Sequence, residues 1–357
     1  MTTDRILLLC SCALAALTSL PVTAGAQEQQ MVEDLNGRWK FHIGDDMAWA
    51  KPSCDDAVWD DITAPSPWEN EGYPGYDGYA WYRKTFYAKD EWKGKVLRLH
   101  LGTIDDADET YVNGVFIGFG GQFPPHYITE YGWTRDYYLP SWCLKYGEPN
   151  VIAIRVYDSQ MAGGITGGRL GIYQVTDPLC AEQSIEGTWK LRQGDDPGWK
   201  SPALADASWH DVVVPLYWET QGLKDYDGFG WYRCHFRPDP SLEGKTLILL
   251  LGKVDDLDET YLNGERIGRT GSMEPRNGQI RHSNEYSQLR AYTIPPDVLK
   301  FGADNVLAVR VYDVWLHGGI YDEPIGLISR DRYLEWKARH RDRMNPWDFF
   351  RKFFGQN

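Results

Sequence analysis

The chain contains the same domain twice, and this repeat constrains its fold more than any other feature. An offset of 150 residues carries Trp81-Tyr-Arg83 onto Trp231-Tyr-Arg233. The same offset aligns DDADETYVNGVFIG (105–118) with DDLDETYLNGERIG (255–268), and 10 of these 14 positions are identical. Farther along, an offset of 155 aligns NVIAIRVYD (150–158) with NVLAVRVYD (305–313). Self-similarity of this extent indicates a duplicated domain of about 145 residues.

Each copy has the pattern of a β-domain. Residues 95–101 and 151–157 are short runs rich in β-branched residues and leucine, bounded by Gly, Asn and Asp. Asn113-Gly114 and its repeat Asn263-Gly264 are the residues that a tight hairpin turn prefers. No useful segment before residue 330 has a helical period. We therefore predict an all-β chain of two tandem jelly-roll β-sandwiches, over residues 33–176 and 184–329.

The N-terminus has the pattern of a secretory signal. An apolar stretch from Ile6 to Leu20 is followed by Ala24-Gly-Ala26, which matches a small-residue cleavage site. We expect residues 1–26 to be a signal peptide, cleaved near Ala26, and the mature protein to be periplasmic or extracellular. The cysteines that remain would then be in an oxidising compartment. Four cysteines allow three pairings, which the sequence leaves open: Cys54, Cys143, Cys180 and Cys234.

The C-terminal segment 330–357 differs from the rest, with eight Lys or Arg residues against four Asp or Glu. Asn345-Pro346 resembles a helix start, and Trp347, Phe350 and Phe354 then fall on one face. The pattern predicts a short amphipathic helix, whose residues 345–354 contact a membrane surface or a partner. Docking on the second sandwich of the same chain is the alternative.

Charge and motifs exclude several classes of function. A net charge of −14 disfavours a nucleic-acid partner, which requires a basic face. The sequence has no CxxC pair and no Cys/His cluster, so a zinc site is not expected. Nucleophile-elbow, dinucleotide-binding and P-loop patterns are missing as well.

The succession of motifs resembles a known module. Its elements, in order, are W-K-x3-G-D, P-x2-W-E-x2-G, W-Y-R, L-G-x-[IV]-D-D, N-G and N-V-[IL]-A-[IV]-R-V. They are similar to the N-terminal sugar-binding jelly roll, a galactose-binding-like sandwich, of family 2 glycoside hydrolases such as β-galactosidase. A similar module accompanies sialate O-acetylesterases. The resemblance covers residues 35–175 and 185–328. Because the catalytic carboxylates of those hydrolases lie on a separate barrel of about 250 residues, no catalytic residue is carried over.

The first candidate site is the acidic motif D-D-x-D-E, which stands at residues 105–109 and again at 255–259. The resemblance places Asp105 and Asp255 where the module presents a polar residue towards the sugar. Carboxylates are also ligands for Ca²⁺, for which Asp106, Asp108, Asp256 and Asp258 are weaker candidates. The alternative is that these residues line the solvated face of a hairpin strand. A glycosidase pair is disfavoured, because neighbouring residues of a strand point to opposite faces.

Aromatic, acidic and glycine residues in the loops are further candidates for sugar contact. Aromatic faces stack on pyranose rings, carboxylates accept hydrogen bonds from hydroxyls, and glycines allow close approach. Alternatively, Trp68 plugs the end of the sandwich, and Tyr76-Asp-Gly78 is only a turn. The candidates in the two copies are Trp68, Glu69, Tyr76, Asp77, Asp158 and Gly164, and Trp218, Glu219, Tyr226, Asp227, Asp313 and Gly319.

These features favour an exported, non-catalytic carbohydrate-binding protein for β-galactoside-type or related glycans, acting beside separate glycoside hydrolases. One alternative is a subunit or remnant of a family 2 hydrolase that needs a partner catalytic domain. Another is a structural envelope module without a ligand. No cofactor is expected unless calcium binds. We expect the first copy to bind more tightly, because its segment 119–127 is rich in aromatic residues, whereas 269–287 is more charged.

Overall fold

The chain was analysed as a computed structural model that describes residues 29–223, 226–275, 279–315 and 317–340. These residues form two successive β-sandwiches, each with a six-stranded and a four-stranded antiparallel sheet. The prediction of an all-β fold with two sandwiches is confirmed. The predicted signal peptide and the predicted helix at 345–354 lie outside the described residues.

The first sandwich contains ten strands. Its six-stranded sheet has the order β3-β2-β4-β9-β6-β7, and its four-stranded sheet has the order β1-β10-β5-β8. The strands are β1 (Gln29–Asp34), β2 (Gly37–Ile43), β3 (Asp60–Ala64), β4 (Gly78–Tyr87), β5 (Leu97–Asp105), β6 (Ala107–Val112), β7 (Val115–Gly120), β8 (Thr134–Leu139), β9 (Pro149–Asp158) and β10 (Gly164–Val175).

The second sandwich repeats this topology. Its six-stranded sheet has the order β13-β12-β14-β19-β16-β17, and its four-stranded sheet has the order β11-β20-β15-β18. The strands are β11 (Gln183–Ser184), β12 (Gly187–Gln193), β13 (His210–Val214), β14 (Gly228–Phe236), β15 (Leu247–Asp255), β16 (Leu257–Leu262), β17 (Glu265–Thr270), β18 (Ala291–Thr293), β19 (Asn305–Asp313) and β20 (Gly319–Ser329).

The predicted hairpin is confirmed between β6 and β7. Val112 pairs with Val115, and the two residues between them, Asn113 and Gly114, have φ angles of 53° and 81°. Positive φ at both positions is what a type I′ turn requires. The Asn113 amide also donates to Oδ1 of Asn150 at 2.7 Å, which ties the turn to the neighbouring β9.

The two sheets of each sandwich enclose an apolar core. In the first, the fully buried side chains include Phe41, Tyr82 and Leu99, which come from β2, β4 and β5. In the first half of β5, Leu97, Leu99 and Leu101 are buried and the residues between them are partly exposed, as expected for a strand with one face on the core. The four described cysteines are free thiols, and Cys143 and Cys234 are buried among these apolar residues.

A helix, α1 (Arg330–Arg339), directly follows β20 and was not expected at this position. Its Tyr333 and Trp336 pack against Leu179 and Ile328, and the Trp336 indole donates to the Asp177 carbonyl at 3.0 Å. Two apolar contacts are too few to give a clear helical period in the sequence. Within the described residues, no helix is both long and apolar enough to cross a membrane.

Candidate functional site

The candidate site lies at one end of each sandwich, where four strand ends meet. Strand pairing places Gly164 opposite Asp105 and Gly78 opposite Asp158. The second sandwich repeats both pairs with Gly319 opposite Asp255 and Gly228 opposite Asp313. Loops that leave the strands at this end therefore surround the aspartates.

Three carboxylates converge at this end of the first sandwich. One oxygen each of Asp105, Asp106 and Asp158 lies within 4.8 Å of the others. Asp105 and Asp106 are each 7% exposed, and Asp158 is fully buried. The expectation that Asp105 and Asp106 point to opposite faces is therefore wrong. Strand β5 ends at Asp105, and the chain crosses to the other sheet at Asp106, so the alternation of a single strand does not apply there.

The electrostatics of the three carboxylates differ. Burial, together with the charges of Asp106 and Asp158, raises the pKa of Asp105 to about 7. Burial also raises the pKa of Asp158 to about 7. Burial opposes ionisation of Asp106 as well, but hydrogen bonds from Thr129 and Ser159 outweigh it and lower the pKa of this group.

Asp108 belongs to a separate, structural interaction. Its Oδ1 accepts from Nε of Arg135 at 2.6 Å, and its Oδ2 accepts from the Tyr137 hydroxyl at 2.9 Å. The side chain of Asp108 has no exposed surface, so the interpretation that it lines a solvated strand face is wrong. Both of its carboxylate oxygens already accept hydrogen bonds from other side chains of the protein. Asp258 makes the same buried ion pair with Arg290, at 2.9 Å. Neither residue lies in the carboxylate cluster, although both were candidates for calcium.

Trp68 does not face a ligand. It is completely buried, and its indole donates to the Tyr76 carbonyl at 3.0 Å. A side chain at Gly163 would overlap the Trp68 ring, so the glycine is required for the ring to fit. Trp218 is equally buried beside Gly318. The alternative in which this tryptophan plugs the end of the sandwich is the one that fits the structure.

Tyr76 also has a structural contact. It is half-buried, and its hydroxyl donates to the Tyr79 carbonyl at 2.6 Å, which closes the loop before β4. Tyr226 makes the equivalent bond to Phe229 at 2.7 Å. Each ring packs on the buried tryptophan of its own sandwich. These tyrosines therefore shape the loop rather than offer a free aromatic face.

Glu69 and Asp77, two further candidates from the sequence, lie beside the carboxylate cluster. Glu69 is half-buried and accepts a hydrogen bond from the Gly163 N–H at 3.1 Å, whereas Asp77 is exposed. Both carry charges that act on Asp158. Gly164 is buried with a φ of 91°, and a side chain there would overlap the Tyr82 hydroxyl. The structure thus brings Glu69, Asp77, Asp105 and Asp158 together around a glycine-lined end.

Sequence reasoning singled out the aromatic segment 119–127 but missed residues 129–133 and Ser159, which border the cluster. Thr129 and Ser159 donate to Asp106 at 2.7 and 2.8 Å, and the Tyr127 hydroxyl lies 3.0 Å from that of Ser159. In the same loop, Tyr131 and Trp133 are 66% and 72% exposed. Large exposed aromatic side chains suit contact with a sugar face. The aromatic composition of this segment was the available signal, but its position beside Asp106 was not predictable.

The corresponding end of the second sandwich packs near the first sandwich. The His317 ring stacks on Phe119 with centroids 3.3 Å apart, and Asp322 pairs with Arg98 at 3.2 Å. Tyr217 contacts Phe119 and stacks on Tyr321. The first sandwich has smaller residues at the matching positions, which are Pro67, Ala162, Thr166 and Gly167.

This packing changes the second acidic end. Asp255 lies close enough to Tyr217 and Tyr321 for its charge to act on both hydroxyls. Burial raises the pKa of Asp255 to about 9 and that of Glu219 to about 9. Asp227 remains exposed. The two copies therefore keep the same acidic residues but place them in different surroundings.

Comparisons with known proteins support the resemblance. No protein-family model matches the chain. β-Galactosidase BoGH2A of Bacteroides ovatus is 30% identical over 155 residues, which are 40% of this chain and 17% of that protein. β-Glucuronidase of Formosa agariphila is 26% identical over 171 residues, or 42% of this chain and 16% of that protein. The chain thus spans only a small part of the length of these relatives.

Solved structures were compared as well. A glycosyl hydrolase family 2 member from Bacteroides cellulosilyticus has 18% identity and a TM-score of 0.35, over 80% of this chain and 32% of that one. The β-glucuronidase of Bacteroides uniformis has 17% identity and a TM-score of 0.35, over 82% of this chain and 28% of that one. On the sequence matches, the resemblance to one part of the family 2 β-galactosidases and β-glucuronidases is confirmed.

Proposed function

We propose that this chain is an exported, non-catalytic carbohydrate-binding protein whose ligand site is the acidic end of the first sandwich. The observation that carries the proposal is that Asp77 and Glu69 lie beside Asp158, whose carboxylate meets that of Asp105 at a glycine-lined end. Carboxylates are strong acceptors for sugar hydroxyls. The exposed Tyr131 and Trp133 on the bordering loop provide apolar surface for a sugar face.

The ligand class is a β-galactoside-type or related glycan. Support comes from the relatives, which are named β-galactosidases and a β-glucuronidase. A binding protein of this kind would act beside separate glycoside hydrolases outside the cytoplasm. The signal pattern at residues 1–26 supports export.

A non-catalytic role is supported by the position of the carboxylates. A glycosidase needs two carboxyl groups that flank the scissile bond. Asp105 and Asp106 lie side by side, each 7% exposed, and Asp106 is held by Thr129 and Ser159. Substrate therefore has no space between them. Among the described residues, the elements are the twenty strands, short 3-10 helices and α1, and they build no (β/α)8 barrel.

The test is binding of the full mature chain to a glycan array, followed by calorimetry against a glycan that binds. We expect Asp105→Ala to weaken that binding at least about tenfold, as loss of a charged hydrogen-bonding group does. Asp61→Ala is the matched control, because it removes an exposed carboxylate on β3 by the same substitution. Absence of any glycan signal would contradict the proposal. Release of the chromophore from a chromogenic galactoside by the pure protein would refute the non-catalytic role.

A further inference from the structure

In each sandwich three carboxylates meet, and within the described residues the ion-pair contact to them is that of His282, whose Nδ1 lies 3.8 Å from Oδ1 of Asp256. The oxygens of Asp105, Asp106 and Asp158 that approach one another lie within 4.8 Å, and so do those of Asp255, Asp256 and Asp313. Five of these six side chains are less than a tenth exposed, and Asp255 is partly exposed. Buried like charges at this separation repel strongly unless a counter-charge is present.

One oxygen in each cluster lacks a partner. Among the described residues, none donates a hydrogen bond to the buried Oδ2 of Asp158 or to the buried Oδ2 of Asp313. Both aspartates are fully buried. A buried carboxylate oxygen without a donor is costly, so the same orphaned atom in two diverged copies points to a missing group. That group must be positively charged or a donor.

The nearest arginine cannot supply it. Nε of Arg135 donates to Asp108, Nη1 donates to the carbonyls of Glu130 and Trp133, and Nη2 donates to those of Ile104 and Asp106. These five bonds use all five guanidinium N–H groups. In the second sandwich, Arg290 is directed in the same way to Asp258 and to backbone carbonyls.

We propose that Asp105, Asp106 and Asp158 bind one calcium ion, and that Asp255, Asp256 and Asp313 bind a second. Calcium takes six to eight oxygen ligands at about 2.3–2.6 Å, so two ligands of one ion can be about 5 Å apart at most. The observed separations fit this limit. Each cluster offers only oxygen, which excludes the thiol-rich sites that soft metals prefer. Calcium also tolerates irregular geometry, whereas magnesium requires a near-ideal octahedron.

This ligand set differs from the one expected from the sequence. Asp108 and Asp258 are excluded as calcium ligands, because each forms a buried ion pair with an arginine. Asp105 and Asp158 take part instead, although more than fifty residues separate them. The proposal goes beyond carbohydrate binding, because the ion site does not depend on a glycan. A bound calcium ion would still leave coordination positions for water or for two hydroxyls of a sugar.

The test is calorimetric titration of the chelator-treated full mature protein with calcium chloride, in the absence of glycan. We expect about two ions per chain, with dissociation constants in the range of about 10⁻⁴–10⁻³ M that extracellular modules show. Asp158→Asn and Asp313→Asn should each remove one of the two binding events, because each change replaces a charged carboxylate ligand with a neutral amide. Both changes keep the size of the side chain, so we expect the variants to fold. Asp61→Asn should bind like the parent.

Terbium provides a second, local readout. Trp68 lies beside Asp158, since both crowd the position of a side chain at Gly163. We expect calcium to displace bound terbium and so to decrease the terbium luminescence that is excited through tryptophan. The same luminescence should fall sharply in Asp158→Asn. No calcium heat up to about 10 mM, roughly ten times the weakest expected dissociation constant, would overturn both sites. Unchanged binding in Asp158→Asn would overturn the first site. Unchanged binding in Asp313→Asn would overturn the second. Failure of the glycan array alone would leave these results unaffected.

Discussion

Asp108→Ala tests how the structure holds the candidate site in place. The carboxylate of Asp108 accepts from Arg135 Nε at 2.6 Å, from the Tyr137 hydroxyl at 2.9 Å and from the Thr110 hydroxyl at 3.2 Å. The side chains of Asp108 and Arg135 are 0% and 2% exposed. Removing the carboxylate leaves a buried guanidinium without its counter-charge, and it leaves the buried Thr110 hydroxyl and the partly buried Tyr137 hydroxyl without this acceptor.

Breaking a buried ion pair in this way costs about 3–5 kcal/mol of unfolding free energy. For a domain of about 150 residues, that loss lowers the melting temperature by about 6–20 °C. Because Arg135 also binds the carbonyls of Ile104 and Asp106, glycan binding should weaken along with stability. Differential scanning calorimetry and urea unfolding followed by circular dichroism measure the change.

Asp304→Ala is the matched control. Asp304 pairs with Arg237 through the same Nε–Oδ1 contact at 2.6 Å, but the two side chains are 65% and 70% exposed. Solvent screens an exposed pair, so this change should leave the melting temperature nearly unmoved. If Asp108→Ala and Asp304→Ala were equally mild, burial would not determine the strength of the pair, and the reasoning would be refuted.

Three further changes test other features. In calorimetry against a glycan that binds, Asp105→Ala should weaken binding at least about tenfold, whereas Asp255→Ala should have a small effect, because Tyr217 and Tyr321 beside Asp255 pack near the first sandwich. The reverse result would assign the site to the second copy. Gly164→Ala should lower the melting temperature far more than Gly132→Ala, since both have positive φ but only a side chain at Gly164 would overlap Tyr82. Burial lowers the pKa of His317 from 6.5 to about 3. As the pH falls, the histidine of the unfolded chain is therefore protonated before that of the folded chain. The stability that is present above pH 6.5 should decrease as the pH drops towards 3. His317→Phe should remove this dependence in pH-resolved thermal unfolding, and an unchanged profile would place the dependence elsewhere.

Local patterns predicted the strands and turns well. The Asn113-Gly114 hairpin depends on two adjacent residues that tolerate positive φ, so the sequence contains all the necessary information. Helix α1 was missed because only Tyr333 and Trp336 anchor it, and both contacts depend on where β20 ends. The interpretation of Trp68 as a plug was open from its own loop, but the space for its ring depends on the distant Gly163.

The arrangement of the site depended on residues far apart in the chain. Asp105 ends β5 in the four-stranded sheet, and Asp158 ends β9 in the six-stranded sheet. The distance between them is set by how the two sheets pack, which no local spacing encodes. The same holds for Arg135, because nothing in the sequence indicated that its guanidinium would form a buried ion pair with Asp108.

The sequence by itself determined that the chain is two copies of one all-β domain, because motifs repeated in the same order, at offsets of 150 and then 155 residues, encode the same strands and turns twice. It also determined which acidic residues both copies retain. Only the tertiary structure decided which of these carboxylates meet, and that the second acidic end lies near the Phe119–His317 contact while the first carries smaller residues at those positions. The physical reason is that contacts between sheets and between sandwiches depend on side-chain packing across long separations, whereas strands and turns depend on neighbouring residues.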